Sequence, residues 1–190
     1  KDNKFIEGLE LVINNDEHDF DKFMKIILEY GMLKKFKVSY AKLTDTKMSK
    51  IKELLDLNRI EILNIVQCDI TLSGLMTIRD SFANNTSLNR LDIGSTDIDE
   101  ESCDYLVKCL KNNRTLNFFC MTDVSTPFSS ENIIDLCNYL PVSNITKLVL
   151  YCPCLSMKCW QMARDAILNS NLIVLYLTYI DHKMIQLKIV

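Results

Sequence analysis

The stretch Leu88-Asn89-Arg90-Leu91-Asp92-Ile93-Gly94-Ser95-Thr96-Asp97-Ile98 carries apolar residues at its first, fourth, sixth and eleventh places. The same template fits Ile60, Leu63, Ile65 and Ile70, with Cys68 at the ninth place. It fits Leu33, Phe36, Val38 and Leu43, then Ile145, Leu148, Leu150 and Leu155. Leu116, Phe119 and Met121, and Leu172, Leu175 and Leu177, follow it more loosely. The starting positions 33, 60, 88, 116, 145 and 172 are 27, 28, 28, 29 and 27 residues apart. A regular interval of this length is the signature of stacked supersecondary units.

Behind each alternating segment lies a second apolar pattern with helical spacing. Its members are Met48, Ile51, Leu54 and Leu55; Leu75, Ile78 and Phe82; Cys103, Leu106, Cys109 and Leu110; Ile133, Leu136, Tyr139 and Leu140; and Trp160, Ala163, Ala166 and Ile167. Strand followed by helix is therefore expected in every unit. One unit cannot bury its apolar face alone, whereas stacked units bury a continuous core. Helices are about 10 Å wide and strands about 4.8 Å apart, so the stack is expected to curve with its strands inside. The expectation is a horseshoe of about seven units of 27–29 residues, with a parallel sheet on the concave face and helices on the convex face. It forms a single domain over 1–190: an N-terminal cap or first unit over 1–32, five core units over 33–171, and a last strand with C-terminal cap over 172–190. The first part has two readings. Leu9, Leu11 and Asn14 fit a unit starting at Ile6, while Phe5, Ile6, Leu9 and Ile13 also suit a short capping helix. Met184, Ile185, Leu187, Ile189 and Val190 are expected to cover the far end. A rim bulge is expected near Pro127-Phe128, where the interval is lengthened.

The spacing, the helical second half and the junctions Asn84-Asn85-Thr86-Ser87-Leu88 and Asn112-Asn113-Arg114-Thr115-Leu116 resemble the ribonuclease-inhibitor-like subfamily of leucine-rich repeats. That group includes NOD-like receptor sensor domains, tropomodulin, Ran GTPase-activating proteins and several bacterial effectors. The resemblance covers essentially the whole chain. It implies an α/β leucine-rich-repeat solenoid and a protein-binding role, with no particular partner, because relatives share the scaffold and differ in what they bind. The subfamily's loop-bonding Asn or Cys at the ninth place is kept at Asn14 and Cys68, with Thr96 a fair substitute. It is lost at Ala41, Val124, Pro153 and Ile180, so the C-terminal loops are expected to rely on packing.

Composition narrows the function classes. Hydrophobic residues make up 48% of the 190, which excludes a wholly disordered chain. Basic residues number 22 and acidic residues 25, a net charge of −3, and they are interspersed, so neither nucleic acid nor a membrane surface is expected as a partner. No apolar run approaches the roughly 18 residues of a membrane span. The chain starts at Lys1 rather than Met, so a piece of a longer protein is expected. Eight cysteines in a chain this long and this rich in Leu and Ile are expected to be thiols in a reducing, cytoplasmic setting.

Strand alternation sends the fourth and sixth places of each unit to the core and the third, fifth and seventh to the opposite, concave face. The third places are Lys35, Ile62, Arg90, Phe118, Lys147 and Val174; the fifth are Lys37, Asn64, Asp92, Cys120, Val149 and Tyr176; the seventh are Ser39, Val66, Gly94, Thr122, Tyr151 and Thr178. The face is polar early, at Lys35, Lys37, Arg90 and Asp92. It is apolar late, where Phe118, Cys120, Val149, Tyr151, Val174 and Tyr176, edged by Tyr179, are expected to form one patch. Contiguous apolar surface marks interfaces, and tyrosine is frequent among residues that dominate binding energy. The patch is expected either to hold a protein or peptide or to be covered by a tail or flanking domain. The expected function is a non-enzymatic protein–protein recognition scaffold, part of a larger intracellular receptor or adaptor, with innate immunity one such setting. Alternatives are a pathogen or viral effector that engages a host regulatory protein, and a self-associating structural module.

Other motifs are assigned bland roles. Cys152-Pro153-Cys154 with Cys159 lacks a four-ligand set, so no metal or cofactor is expected. His18 and His182 lie at opposite ends of the chain, without a nucleophile-and-base arrangement, and no Gly-rich phosphate loop occurs. The sequons at Asn84, Asn85, Asn113 and Asn144 all fall at helix-to-strand junctions, where asparagine satisfies helix ends and backbone groups rather than carrying glycans.

Overall fold

The computed structural model describes residues 6–13, 17–94, 96, 98–122, 128–151, 157–178 and 184–188. In order the elements are β1 (Gly8–Val12), α1 (Glu17–Glu29), β2 (Lys35–Ser39), β3 (Lys42–Leu43), α2 (Asp45–Asp56), β4 (Ile62–Val66), β5 (Asp69–Ile70), α3 (Leu72–Asn84), β6 (Arg90–Gly94), α4 (Glu100–Leu110), β7 (Phe118–Thr122) and α5 (Ser130–Tyr139). A 3-10 turn over Leu140–Val142, β8 (Lys147–Tyr151), α6 (Met157–Leu168), β9 (Val174–Thr178) and β10 (Met184–Lys188) complete the described chain.

The fold is α/β. One eight-stranded sheet runs in the order β1-β2-β4-β6-β7-β8-β9-β10, and its neighbours are parallel from β1 to β9. Lys35 pairs with Ile62, Ile62 with Arg90, Arg90 with Phe118, Phe118 with Lys147 and Lys147 with Val174. Residues at the same place of the sequence interval therefore lie side by side. The segment around Ile6 forms a strand and not a capping helix: Leu9 pairs with Phe36 and Leu11 with Val38. At the other end the sheet departs from the all-parallel expectation. β10 runs antiparallel to β9, with Met184 opposite Thr178 and Lys188 opposite Val174. Strand β3 also pairs with β5 in a separate two-residue ladder.

Alternation decides the layers. Leu63, Ile65, Leu91, Ile93, Phe119, Met121, Leu148 and Leu150 are each 3% exposed or less, and they join the helix residues Met48, Ile51, Leu54, Leu75, Leu106 and Leu136 in one core. The helices thus cover one face of the sheet and leave the other open. The starts of α3, α4 and α5 are capped by side chains: Thr71 accepts from the Gly74 amide at 3.1 Å, Asp99 from Ser102 at 2.7 Å, and Ser129 forms a reciprocal capping box with Asn132. Phe128, beside the lengthened interval, is buried at 3%. Of the bulge expected near Pro127-Phe128, Pro127 lies outside the described residues, as do Asn14, Val124, Pro153 and Ile180.

Each helix-to-strand junction is bonded to the one before it. Arg59 donates to the Leu28 carbonyl at 2.7 Å, Asn85 to Leu55 at 2.8 Å, Asn113 to Phe82 at 2.8 Å, Asn144 to Arg114, and Asn171 to Ser143 at 3.3 Å. Asn85 and Asn113 are 3% and 1% exposed, and each side-chain oxygen also accepts from two backbone amides just ahead of the following strand. At the ninth places, Cys68 donates to the Val38 and Val66 carbonyls, and Thr96 to Gly94. Ala41 is buried, and its carbonyl accepts from Asp69 at 3.0 Å. Among the described residues, side-chain bonding between neighbouring segments thus includes these junctions, and it continues toward the C-terminus at Asn144 and Asn171.

Candidate protein-binding face

The third and fifth places of consecutive strands form two rows across the open face. The first runs Gly8, Lys35, Ile62, Arg90, Phe118, Lys147, Val174; the second Glu10, Lys37, Asn64, Asp92, Cys120, Val149, Tyr176. Neighbours in a row are about 4.8 Å apart, close enough for side chains to touch.

The polar end is internally paired. Lys37 bonds Glu10 at 2.7 Å, and Ser39 donates to the same carboxylate at 3.4 Å. This holds the Glu10 carboxyl below the usual range and leaves Ser39 only 2% exposed, although its place in the strand is on the open side. Arg90 bonds Asp92 through both Nε and Nη2, at 2.9 and 2.7 Å. With its amide nitrogen turned toward them, Asn64 donates to Asp92 Oδ2 at 3.1 Å and to the Leu63 carbonyl at 3.2 Å. Asp92 Oδ1 is buried and meets no donor among the described residues. Lys35 is exposed.

At the other end, Phe118, Cys120, Val149, Val174 and Tyr176 are brought together, and all are half-buried. Their surroundings differ from the purely apolar patch expected. Lys147 stands in the row between Phe118 and Val174, 4.8 Å from the centre of the Phe118 ring and 5.7 Å from that of Tyr176. Arg90 lies 4.1 Å from the Phe118 ring on the side of β6. Cation and ring thus alternate across four strands: Arg90, Phe118, Lys147, Tyr176. Such contacts stabilise by about 0.5–1 kcal/mol each at exposed sites. Sequence reading put Lys147 on the face but left it out of the patch; its place in the first row, between Phe118 and Val174, was the available signal. Tyr151 is placed by the backbone of β8 alone, pairing with Thr178, and Tyr179 lies outside the described residues.

The thiol chemistry of the face is quiet. Burial, and then the Asp92 carboxylate, push the Cys120 thiol up to about 11, away from the thiolate a nucleophile needs. Among the described residues no three His, Cys, Asp or Glu side chains gather as a metal-holding group, and no helix is long and apolar enough to cross a membrane. Cys152, Cys154 and His182 lie outside the described residues. Against known proteins, the chain matches no family model, and no curated protein matches it significantly.

Proposed function

We propose that the chain is a ribonuclease-inhibitor-like leucine-rich-repeat solenoid and works as a non-enzymatic, cytoplasmic recognition scaffold that holds a partner protein or peptide against its concave sheet face. The solenoid reading is supported by the agreement between the sequence interval and the strand register, since Lys35, Ile62, Arg90, Phe118, Lys147 and Val174 are consecutive neighbours. The observation that carries the function is the alternation of Arg90, Phe118, Lys147 and Tyr176 on four neighbouring strands: half-buried side chains held in place by one another on a face that none of the described helices covers. Side chains already ordered lose little entropy on binding, so contact energy is less offset. The cytoplasmic reading leans on the thiol state of Cys68, Cys109, Cys120 and Cys137.

The test is affinity capture from cell lysate with the intact chain and a Val149→Asp/Tyr176→Ala variant in parallel, followed by titration of each purified candidate. A partner that binds the intact chain and is lost with the variant, at unchanged helical signal and melting temperature, supports the reading. Partners that bind both proteins equally overturn it.

A further inference from the structure

Resting on that reading, we infer that the segment bound at this face presents a carboxylate side chain, Asp or Glu, to Lys147, with apolar side chains on either side of it. Of the other cations on the face, Lys37 is matched by Glu10 at 2.7 Å and Arg90 by Asp92 at 2.7 Å, while Lys35 stands exposed on β2 at the polar end, away from the rings. Lys147 has no carboxylate within ion-pair distance among the described residues; its ammonium group meets the Phe118 and Tyr176 rings instead. It is only half exposed, so an arriving anion meets a partly desolvated charge, where pairing is less screened than on open surface.

The rings reinforce the preference. An aromatic ring is negative on its faces and positive at its edge. Arg90 and Lys147 belong to the strands flanking β7, and both lie over the Phe118 ring, where its negative face attracts them. With Arg90 paired to Asp92, the charge left for an arriving group is the Lys147 ammonium beside the rings. Val149 and Val174, both half-buried, flank Lys147 along its own strand and on the next. They supply the apolar ground on which the residues beside the carboxylate would rest.

A phosphate backbone fits this arrangement less well. Binding of single-stranded nucleic acid relies on base stacking against free ring faces and a continuous cationic track. Here the Phe118 ring is already engaged by two cations, and Asp92 and Glu10 interrupt the cationic track. A protein carboxylate needs only one matching charge.

The test is panning of a phage-displayed random dodecapeptide library on the immobilised full chain, on Lys147→Gln, on Lys147→Glu and on Val149→Asp/Tyr176→Ala, with fluorescent oligouridylate titrated beside it. The expected result is enrichment of peptides with an Asp or Glu flanked by apolar residues on the intact chain. The best of them should bind Lys147→Gln about tenfold more weakly or worse, and Lys147→Glu should select Lys or Arg instead. Enrichment without an acidic preference, or one that survives Lys147→Gln, overturns the inference while leaving peptide binding intact. Enrichment of the same peptides on Val149→Asp/Tyr176→Ala, or no enrichment on the intact chain, overturns the binding face itself and the inference with it. Oligouridylate binding tighter than any peptide, and lost in Lys147→Gln, replaces the protein partner with a nucleic acid.

Discussion

The side-chain amide of Asn113 donates to the carbonyl oxygen of Phe82, 31 residues earlier, at 2.8 Å. Its oxygen accepts from the Thr115 and Leu116 amides at 3.0 and 2.8 Å, and the residue is 1% exposed. One side chain thus satisfies three backbone groups at a site that water does not reach. Asn113→Ala should destabilise the fold by about 3 kcal/mol, because the polar groups left behind are each costly to bury unbonded. Asn113→Asp keeps the acceptor but sets a buried carboxylate oxygen against the Phe82 carbonyl, so it should lose at least as much. Urea unfolding measures both. A loss for Asn113→Ala within about 0.5 kcal/mol, the range of an ordinary surface substitution, would mean that the junction bonds do not hold the units together.

Tyr40 and Gln67 both have positive φ, 59° and 53°, at the ends of β2 and β4. The left-handed region costs a residue with a Cβ about 1–2 kcal/mol. Tyr40 is 51% exposed, so its ring returns little packing. Its backbone amide still donates to Val66 at 3.2 Å, and Gln67 donates likewise to Gly94 at 2.9 Å, which keeps the conformation in place. Tyr40→Gly should stabilise by up to about 1 kcal/mol, the relief of strain being partly offset by the freer unfolded chain. Asn58, at φ 48°, tolerates this region better, and Asn58→Gly should change the melting temperature less. Equal shifts for the two variants would count against strain at Tyr40.

The layers and the parallel registers were legible because both are periodic. Alternation with a period of two chose the face of each strand residue, and an interval of 27–29 residues set Arg90 beside Phe118 and Phe118 beside Lys147. What sequence could not resolve lacks a period or depends on distance. Alternation reads the same in either direction, so nothing in Met184–Lys188 announced an antiparallel strand. The β3–β5 ladder is two residues long, too short for any pattern. Asparagine recurs at 85 and 113 in the sequence, yet its bonding target, the last turn of the helix before the one it follows, appears only once the helices are packed side by side. The same holds for Lys147, whose row was readable but whose two ring contacts were not.

Gly74 stands in the first turn of α3, where an ordinary Gly→Ala change would favour the helix by about 1 kcal/mol. A Cβ there would lie 2.9 Å from Met48 Cγ, and Met48 is fully buried between sheet and helices. The gain should therefore reverse, with Gly74→Ala destabilising by about 1–2 kcal/mol through overpacking. The Met48→Ala/Gly74→Ala double variant should lose less than the two single losses added, since the first change removes the atom the second would strike. Additive losses, measured by denaturant unfolding, would exclude this contact as the cause.

Cys120 offers a pH-dependent test on the open face itself. Its thiol is pushed up from 9.0 to about 11, chiefly by burial, while the residue remains half-exposed to small reagents. Alkylation proceeds through the thiolate, so at pH 8 Cys120 in the folded chain should react about a hundredfold more slowly than in urea. The sign for stability follows from the same shift. A thiol whose folded value lies above its unfolded one contributes stability fully below the unfolded value and loses it as pH rises toward the folded value. Cys103, raised to about 12, and Cys109 and Cys137, raised to about 11, act in the same direction. The urea midpoint should thus fall as pH climbs from about 9 toward 11, and Cys120→Ala should fall less steeply than the parent chain. Alkylation of native Cys120 at the unfolded rate would show that the face admits water more freely than its packing against Asp92 and Val149 implies.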